Sequence, residues 1–192
     1  MNVCCVQSLK DNVGIIIKSE LFTNIMNVLK SILILLVLFT LPNIAECQNI
    51  PNDLNLKSLD NRNISLGDVI GKEVTIVAFW ATWCKPCQNE LEALMDLQEE
   101  WKDKVKVLAV SIDDARSVAK VKSLVKGKKW PYQVLLDSNK KLYKALNLTS
   151  IPFIMIVSDG KVIWSHVGYM PGDEELVVKK ALEEWTQHFN KK

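Results

Sequence analysis

Histidine is almost missing from this chain: of 192 residues only His166 and His188 are histidines, and cysteines number five. A closed zinc site needs four ligands, and beyond Cys84 and Cys87 only Cys4, Cys5, Cys47 and the two histidines could supply them; the three other cysteines lie far upstream. No histidine follows Cys87, where Gln88 stands, so covalent haem attachment is excluded. There is no excess charge of either sign, with 24 Lys and Arg against 22 Asp and Glu for a formal charge of +2. No basic stretch is interleaved with aromatics, and Lys126, Lys128 and Lys129 read as a solvated helix end, so no nucleic-acid partner is expected. Internal repeats, Gly/Ser linkers and low-complexity tracts are also missing. No metal or other cofactor is expected.

The chain lacks an apolar run of the roughly 20 residues that cross a bilayer. It has a shorter one: Lys30 and Ser31 precede an apolar run from Ile32 to Phe39 that continues through Thr40 to Leu41. One basic residue before an apolar core of about ten fits a secretory signal. Residues 26–47 are therefore expected to be a signal peptide or a membrane or lipid anchor, with Met26 the expected true start and residues 1–25 an upstream extension. Ile44-Ala45-Glu46-Cys47 resembles a loose lipobox, although Glu46 replaces the small residue expected before a lipidated cysteine. Residues 48–192 are left as one domain, large enough to bury a core without staples.

Within that domain the densest chemistry is Trp83-Cys84-Lys85-Pro86-Cys87. It follows Thr75–Trp80, a run of β-branched and aromatic residues that reads as a buried strand. Leu91, Leu94, Leu97 and Trp101 then recur at helical spacing, with Glu90, Glu92, Glu99 and Glu100 on other faces. Cys84 is thus expected at a helix N-terminus, where free amides and the macrodipole favour a thiolate. Lys85 adds positive charge, and Pro86 falls in the first turn, where its missing N–H removes no bond. Cys87 lies one turn on, close enough to resolve a mixed disulfide. A purely structural disulfide closing so short a loop would restrict the unfolded chain little.

The other elements alternate. Leu54–Leu59 and Ile64–Leu66 flank Asp60-Asn61-Arg62-Asn63 as an N-terminal hairpin. A strand at Val105–Ile112, a helix at Ala115–Lys126 ended by Gly127, a strand at Tyr132–Leu136 and a helix at Asn139–Leu146 follow. Phe153–Val157 and Val162–Val167 flank Ser158-Asp159-Gly160 as a second hairpin. The last helix starts near Asp173, whose carboxylate is placed to cap it, and is expected to bury Leu176, Val178, Ala181, Leu182, Trp185 and Phe189. Such an order gives an α/β sandwich around a central mixed sheet.

The motif Phe79-Trp80-Ala81-Thr82-Trp83-Cys84-Lys85-Pro86-Cys87, followed by Glu90, resembles the thioredoxin-like proteins, and among them the exported TlpA/ResA group; the resemblance extends over about Ile50 to Phe189. It implies a three-layer thioredoxin-like sandwich and an exported thiol-disulfide oxidoreductase of the periplasm or cell envelope. It implies Cys84 as nucleophile and Cys87 as resolving thiol, with Trp83 and Pro86 shaping the surface around them. Ser150-Ile151-Pro152-Phe153 is similar to the loop in which such proteins carry a cis-proline, so Ile151 and Pro152 are expected to bind the substrate segment. Glu90 is associated in that group with the active-site thiols; the alternative is an exposed first-turn glutamate favouring the helix dipole. The resemblance also implies protein thiols and disulfides as partners, a membrane electron donor, a monomer, and a reductant serving cytochrome c maturation.

Two positions depart from these relatives. Ala78 stands where cytoplasmic thioredoxins bury an acid, and Glu92 where many of the exported group have proline, so their helix kink is not expected. The direction of electron flow is not legible: Lys85 favours a thiolate, but one exposed charge is worth under about 1 kcal/mol. A Sco-type copper module would need His166 as third ligand, and a peroxidase of this fold lacks its usual threonine before the reactive cysteine. His166 and His188 are otherwise structural or solvated, the acids of Ser111-Ile112-Asp113-Asp114 are expected to cap the next helix, and Trp130-Pro131 reads as a packed loop.

Overall fold

The computed structural model describes residues 26–33, 49–71 and 73–190. The chain divides into two compact units, Met1–Glu46 and Cys47–Lys192. In the first, residues 26–33 form helix α1, with Ile32 and Leu33 exposed. Most of the expected leader core and Cys47 lie outside the described residues. Among the described residues no helix is long and apolar enough to cross a membrane.

The second unit is built on seven strands in the order β2-β1-β5-β4-β3-β6-β7. They are β1 (Asn55–Ser58), β2 (Asn63–Ser65), β3 (Thr75–Trp80), β4 (Lys106–Ser111), β5 (Gln133–Leu136), β6 (Phe153–Ser158) and β7 (Lys161–Val167). β3 pairs in parallel with β4, and β4 with β5; the other pairs are antiparallel, which makes the sheet mixed as expected. Every residue of β3 is buried, because the strand is central and both faces are covered. Phe79 meets Tyr143 and Phe153 edge-on, while its neighbour Trp80 meets Trp130 at 4.8 Å between ring centres. On the edge strand β7, half-buried and exposed residues alternate, the pattern of a strand covered on one face only. The β6–β7 turn needs left-handed backbone at Asp159 (φ 49°) and Gly160 (φ 74°), which is what an Asp-Gly pair in a two-residue hairpin supplies.

The helices are α2 (Leu66–Ile70), α3 (Lys85–Asp96), α4 (Gln98–Trp101), α5 (Val118–Lys128), α6 (Lys141–Ala145) and α7 (Asp173–Asn190). Several depart from the sequence expectation. Leu66 does not end a strand; it opens α2, and both Leu66 and Ile70 are fully buried. The helix read through Trp101 breaks at Leu97, and α4 restarts it. It runs unbroken past Glu92, whose carboxylate instead reaches Lys128 Nζ on α5 at 2.6 Å. Gly127 does not end α5: a 3₁₀ turn at Ala115–Ser117 precedes the helix, and the left-handed residue closing it is Lys129, φ 55°. On α7, Val177, Val178 and Ala181 are buried, whereas Leu176 is 44% and Phe189 67% exposed, so the buried stripe is narrower than the sequence pattern. Asp173 does not cap α7 as expected; its Oδ2 accepts from the Met170 amide at 2.7 Å.

Candidate active site

Register puts one end of the sheet to use. Trp80 ends β3 beside Ser111, the last residue of β4, and Phe79 pairs with Phe153, the first residue of β6. The chain leaving β3, the chain leaving β4 and the Ile151-Pro152 segment leading into β6 therefore share that end. The Ile151–Pro152 peptide is cis, and the Pro152 carbonyl accepts from the Gly168 amide at 2.9 Å, which ties this segment to the loop after β7.

From β3 the chain makes a tight turn, in which the Cys84 amide donates to the Ala81 carbonyl at 3.0 Å. Cys84 is the N-cap of α3, in extended conformation, and its Sγ accepts from the Cys87 amide at 3.3 Å. A sulfur here does for the helix what a serine or aspartate oxygen usually does, satisfying a free amide with a group that gains from negative charge. Pro86 lies in the first turn, where it costs no helical bond. Cys84 and Cys87 are joined in a disulfide, with their Cα atoms 5.4 Å apart. The two sulfurs are not equivalent in access: Cys84 keeps 6% exposure, Cys87 none, and Trp83 beside them is 66% exposed.

Three residues beyond Cys87 on the same helix is Glu90, also buried at 1% exposure, with Oε1 lacking a hydrogen-bond partner. The exposed first-turn alternative is thereby removed. Burial, reinforced by the charges of Asp173 and Glu174, pushes its pKa up to about 8. Tyr169, in the loop before α7, is pushed up to about 12 by burial and by a hydrogen bond with Glu174.

The redoxin family model matches residues 40–182. The chain belongs to the redoxin family. Over 133 residues this redoxin is 38% identical to the thioredoxin-like protein YneN of Bacillus subtilis, an alignment covering 68% of the chain and 76% of YneN. Over 112 residues it is 31% identical to the thiol-disulfide oxidoreductase ResA of Bacillus cereus, covering 57% of the chain and 63% of that relative, a little under two thirds of its length. The solution structure of a thioredoxin-like protein from Porphyromonas gingivalis matches with a TM-score of 0.58 and 36% identity, over 68% of this chain and 88% of that one. The redoxin thus has a thioredoxin-like α/β fold and is a redox enzyme of the thiol-disulfide oxidoreductase class, and it carries a close-set cysteine pair.

Other residues singled out in the sequence lie elsewhere in this redoxin. His166, on β7, stacks on Trp164 with rings 5.9 Å apart and has Nε2 3.4 Å from Asp173 Oδ2. His188 faces Asp159 at 3.5 Å near the end of α7. Among the described residues no group of three or more His, Cys, Asp or Glu side chains is placed to hold a metal ion.

Of the two acids expected to cap a helix, only Asp114 does so, accepting from the Arg116 and Ser117 amides. Asp113 turns inward, 3% exposed, to Thr82. That contact and the Gln88 side chain behind it escaped the sequence reading. The available signal was the parallel pairing of β3 and β4, which sets the residues just past each strand side by side.

Proposed function

We propose that this oxidoreductase is exported and exchanges its Cys84–Cys87 pair with protein thiols and disulfides of the periplasm or cell envelope. The observation that carries the reading is the stacked inequality of the site: an N-cap sulfur with residual access beside an exposed tryptophan, a sealed second sulfur, and a buried carboxylate beyond it. In the reducing direction, the Cys84 thiolate attacks a substrate disulfide, forming a mixed disulfide and releasing one substrate thiolate. Cys87, losing its proton, then attacks Cys84 Sγ, expels the second substrate thiolate and closes the Cys84–Cys87 bond. Two electrons pass to the substrate together with the one proton that Cys87 loses, and the other substrate thiolate takes its proton from water. Glu90, with a pKa pushed up to about 8, is matched to a thiol of ordinary pKa about 8.5 and so trades a proton with Cys87 at little cost.

Trp83, Pro86, Ile151 and Pro152 form the surface that receives the extended substrate segment. Similarity to ResA and the apolar run after Lys30 support export, a membrane electron donor and service as a monomeric reductant, with cytochrome c maturation as the physiological setting.

Insulin reduction and exchange with glutathione test the reading. Cys84→Ser is expected to abolish both, and Cys87→Ser to accumulate mixed disulfides with envelope proteins. Full exchange activity in both variants would end it.

A further inference from the structure

Thr82 stands two residues before the outer cysteine and is gripped from both sides. Its amide donates to Asp113 Oδ2 at 2.8 Å and its hydroxyl to Asp113 Oδ1 at 2.8 Å. Its carbonyl accepts from Gln88 Nε2 at 3.0 Å, and Gln88 in turn gives its amide to the Cys84 carbonyl at 3.2 Å. Asp113 is itself fixed: Ser111 Oγ donates to Oδ2 at 2.9 Å, and the Asp113 amide donates back to Ser111 Oγ at 3.2 Å. All four side chains are at least nine-tenths buried.

A buried carboxylate held by neutral donors alone is an expensive way to make a turn, since burying charge costs several kcal/mol unless each lone pair is used. Here three donors meet it, two of them from the residue that sets the course of the chain into Cys84. Besides this grip the turn is held by the Cys84 amide on the Ala81 carbonyl and by the buried Ala81, while Trp83 is exposed. Charge-assisted bonds of this kind are about twice as strong as neutral ones.

We propose that Asp113 is a positioning residue for disulfide exchange, holding the turn at residues 81–84 through Thr82 so that Cys84 Sγ stays on the Cys87 amide. The inference rests on the exchange function proposed above and adds a residue on a different strand to it. It separates two roles that a buried acid near a thiol can play. As an electrostatic neighbour, Asp113 would disfavour the Cys84 thiolate, and removing its charge would lower the thiol pKa. As the holder of the turn, it keeps the sulfur on its amide donor, and removing its grip raises the thiol pKa.

The test uses the full-length reduced protein. The rate of alkylation by iodoacetamide is followed against pH, and label on Cys84 is distinguished from label on the other four cysteines by fragment mass analysis. Thr82→Val removes the hydroxyl at constant shape and charge, Asp113→Asn removes the charge and one acceptor, and Thr82→Ser restores the hydroxyl. Thr82→Val and Asp113→Asn are expected to move the Cys84 profile to higher pH by about one unit, which is a roughly tenfold loss of alkylation rate on the acid side. Thr82→Ser is expected to return the profile to that of the parent protein.

A lowered pKa in Asp113→Asn, or an unshifted profile in Thr82→Val whatever its melting temperature, would overturn the proposal. Insulin reduction by the unaltered protein reports separately on the exchange function, so an active parent with an unshifted Thr82→Val profile rejects the positioning role alone.

Discussion

Cys87 and Glu90 stand three residues apart on the same side of α3, and both are sealed from solvent. A carboxyl in that place prefers to be neutral, so its folded pKa, about 8, lies well above the 4.5 of the free group. The folded state therefore holds a proton that the unfolded chain releases across that interval. Stability from this group is fully present below pH 4.5 and is lost as pH rises toward 8, at up to about 1.4 kcal/mol per pH unit. Glu90→Gln, which stays neutral, is expected to abolish that loss. Urea unfolding at a series of pH values gives the two curves, and parallel curves would contradict the assignment. Asp173→Asn, by removing one of the charges that raise the Glu90 pKa, should end the wild-type loss at a lower pH while leaving its onset near pH 4.5.

Asp137 governs a second buried anchor. Its Oδ1 accepts from the Lys141 amide at 2.7 Å and its Oδ2 from the Tyr143 amide at 2.9 Å, at only 2% exposure. It thus supplies the first turn of α6, whose own N-cap, Lys140, offers no side-chain bond. Asp137→Ala leaves two amides without their acceptor and is expected to cost about 1–3 kcal/mol. Asp137→Asn, which keeps one acceptor oxygen, should fall between. Chemical denaturation at neutral pH measures both, and a loss below about 0.5 kcal/mol for the alanine variant would show that water replaces the carboxylate.

The strands of this protein were legible because Thr75–Trp80 and Phe153–Ser158 are buried on both faces and their composition says so directly. The cysteine pair was legible because its chemistry is local to four residues. What sequence spacing concealed was decided across the sheet. Asp113 and Asp114 look alike in the chain, yet the first lies where the β3–β4 register brings Thr82 within reach and the second faces the next helix. Leu176 and Phe189 fit the helical period but lie at the margins of what α7 covers. Glu90, set apart from the leucines by the sequence reading, lies one turn before Leu94 on the buried side of α3, where α7 and the loop before it bring Asp173, Glu174 and Tyr169 close to it.

Gly127 shows how weak a breaker one glycine is. It lies inside the last turn of α5, helical and with nothing within 4 Å of where a Cβ would stand. An alanine there meets no clash and removes freedom from the unfolded chain, so Gly127→Ala is expected to stabilise by about 0.5–1 kcal/mol. The residue in the left-handed conformation glycine tolerates is Lys129, and Lys129→Gly should be tolerated or mildly stabilising, because relief of the Cβ strain there offsets the added freedom of the unfolded chain. Melting temperatures of the two single variants check this, and destabilisation by Gly127→Ala would mean that the helix ends before it.

The Lys128–Glu92 pair joins α5 to the cysteine-bearing helix, at 2.6 Å and with both side chains about one third exposed. Its attraction is partly screened, and two flexible side chains must be ordered to make it. Measured values for such pairs cluster below about 1 kcal/mol. Lys128→Ala is therefore expected to cost under about 1 kcal/mol, and the difference from the parent protein should shrink as ionic strength rises from about 0.01 M to 1 M, where the screening length falls from about 30 Å to about 3 Å. Because the pair lies at the far side of α3 from the sulfurs in sequence, five residues beyond Cys87, it should leave insulin reduction within a factor of about two, or about 0.4 kcal/mol. A large activity loss at unchanged stability would instead mean that the placement of α3, and with it the Cys84 N-cap, depends on α5.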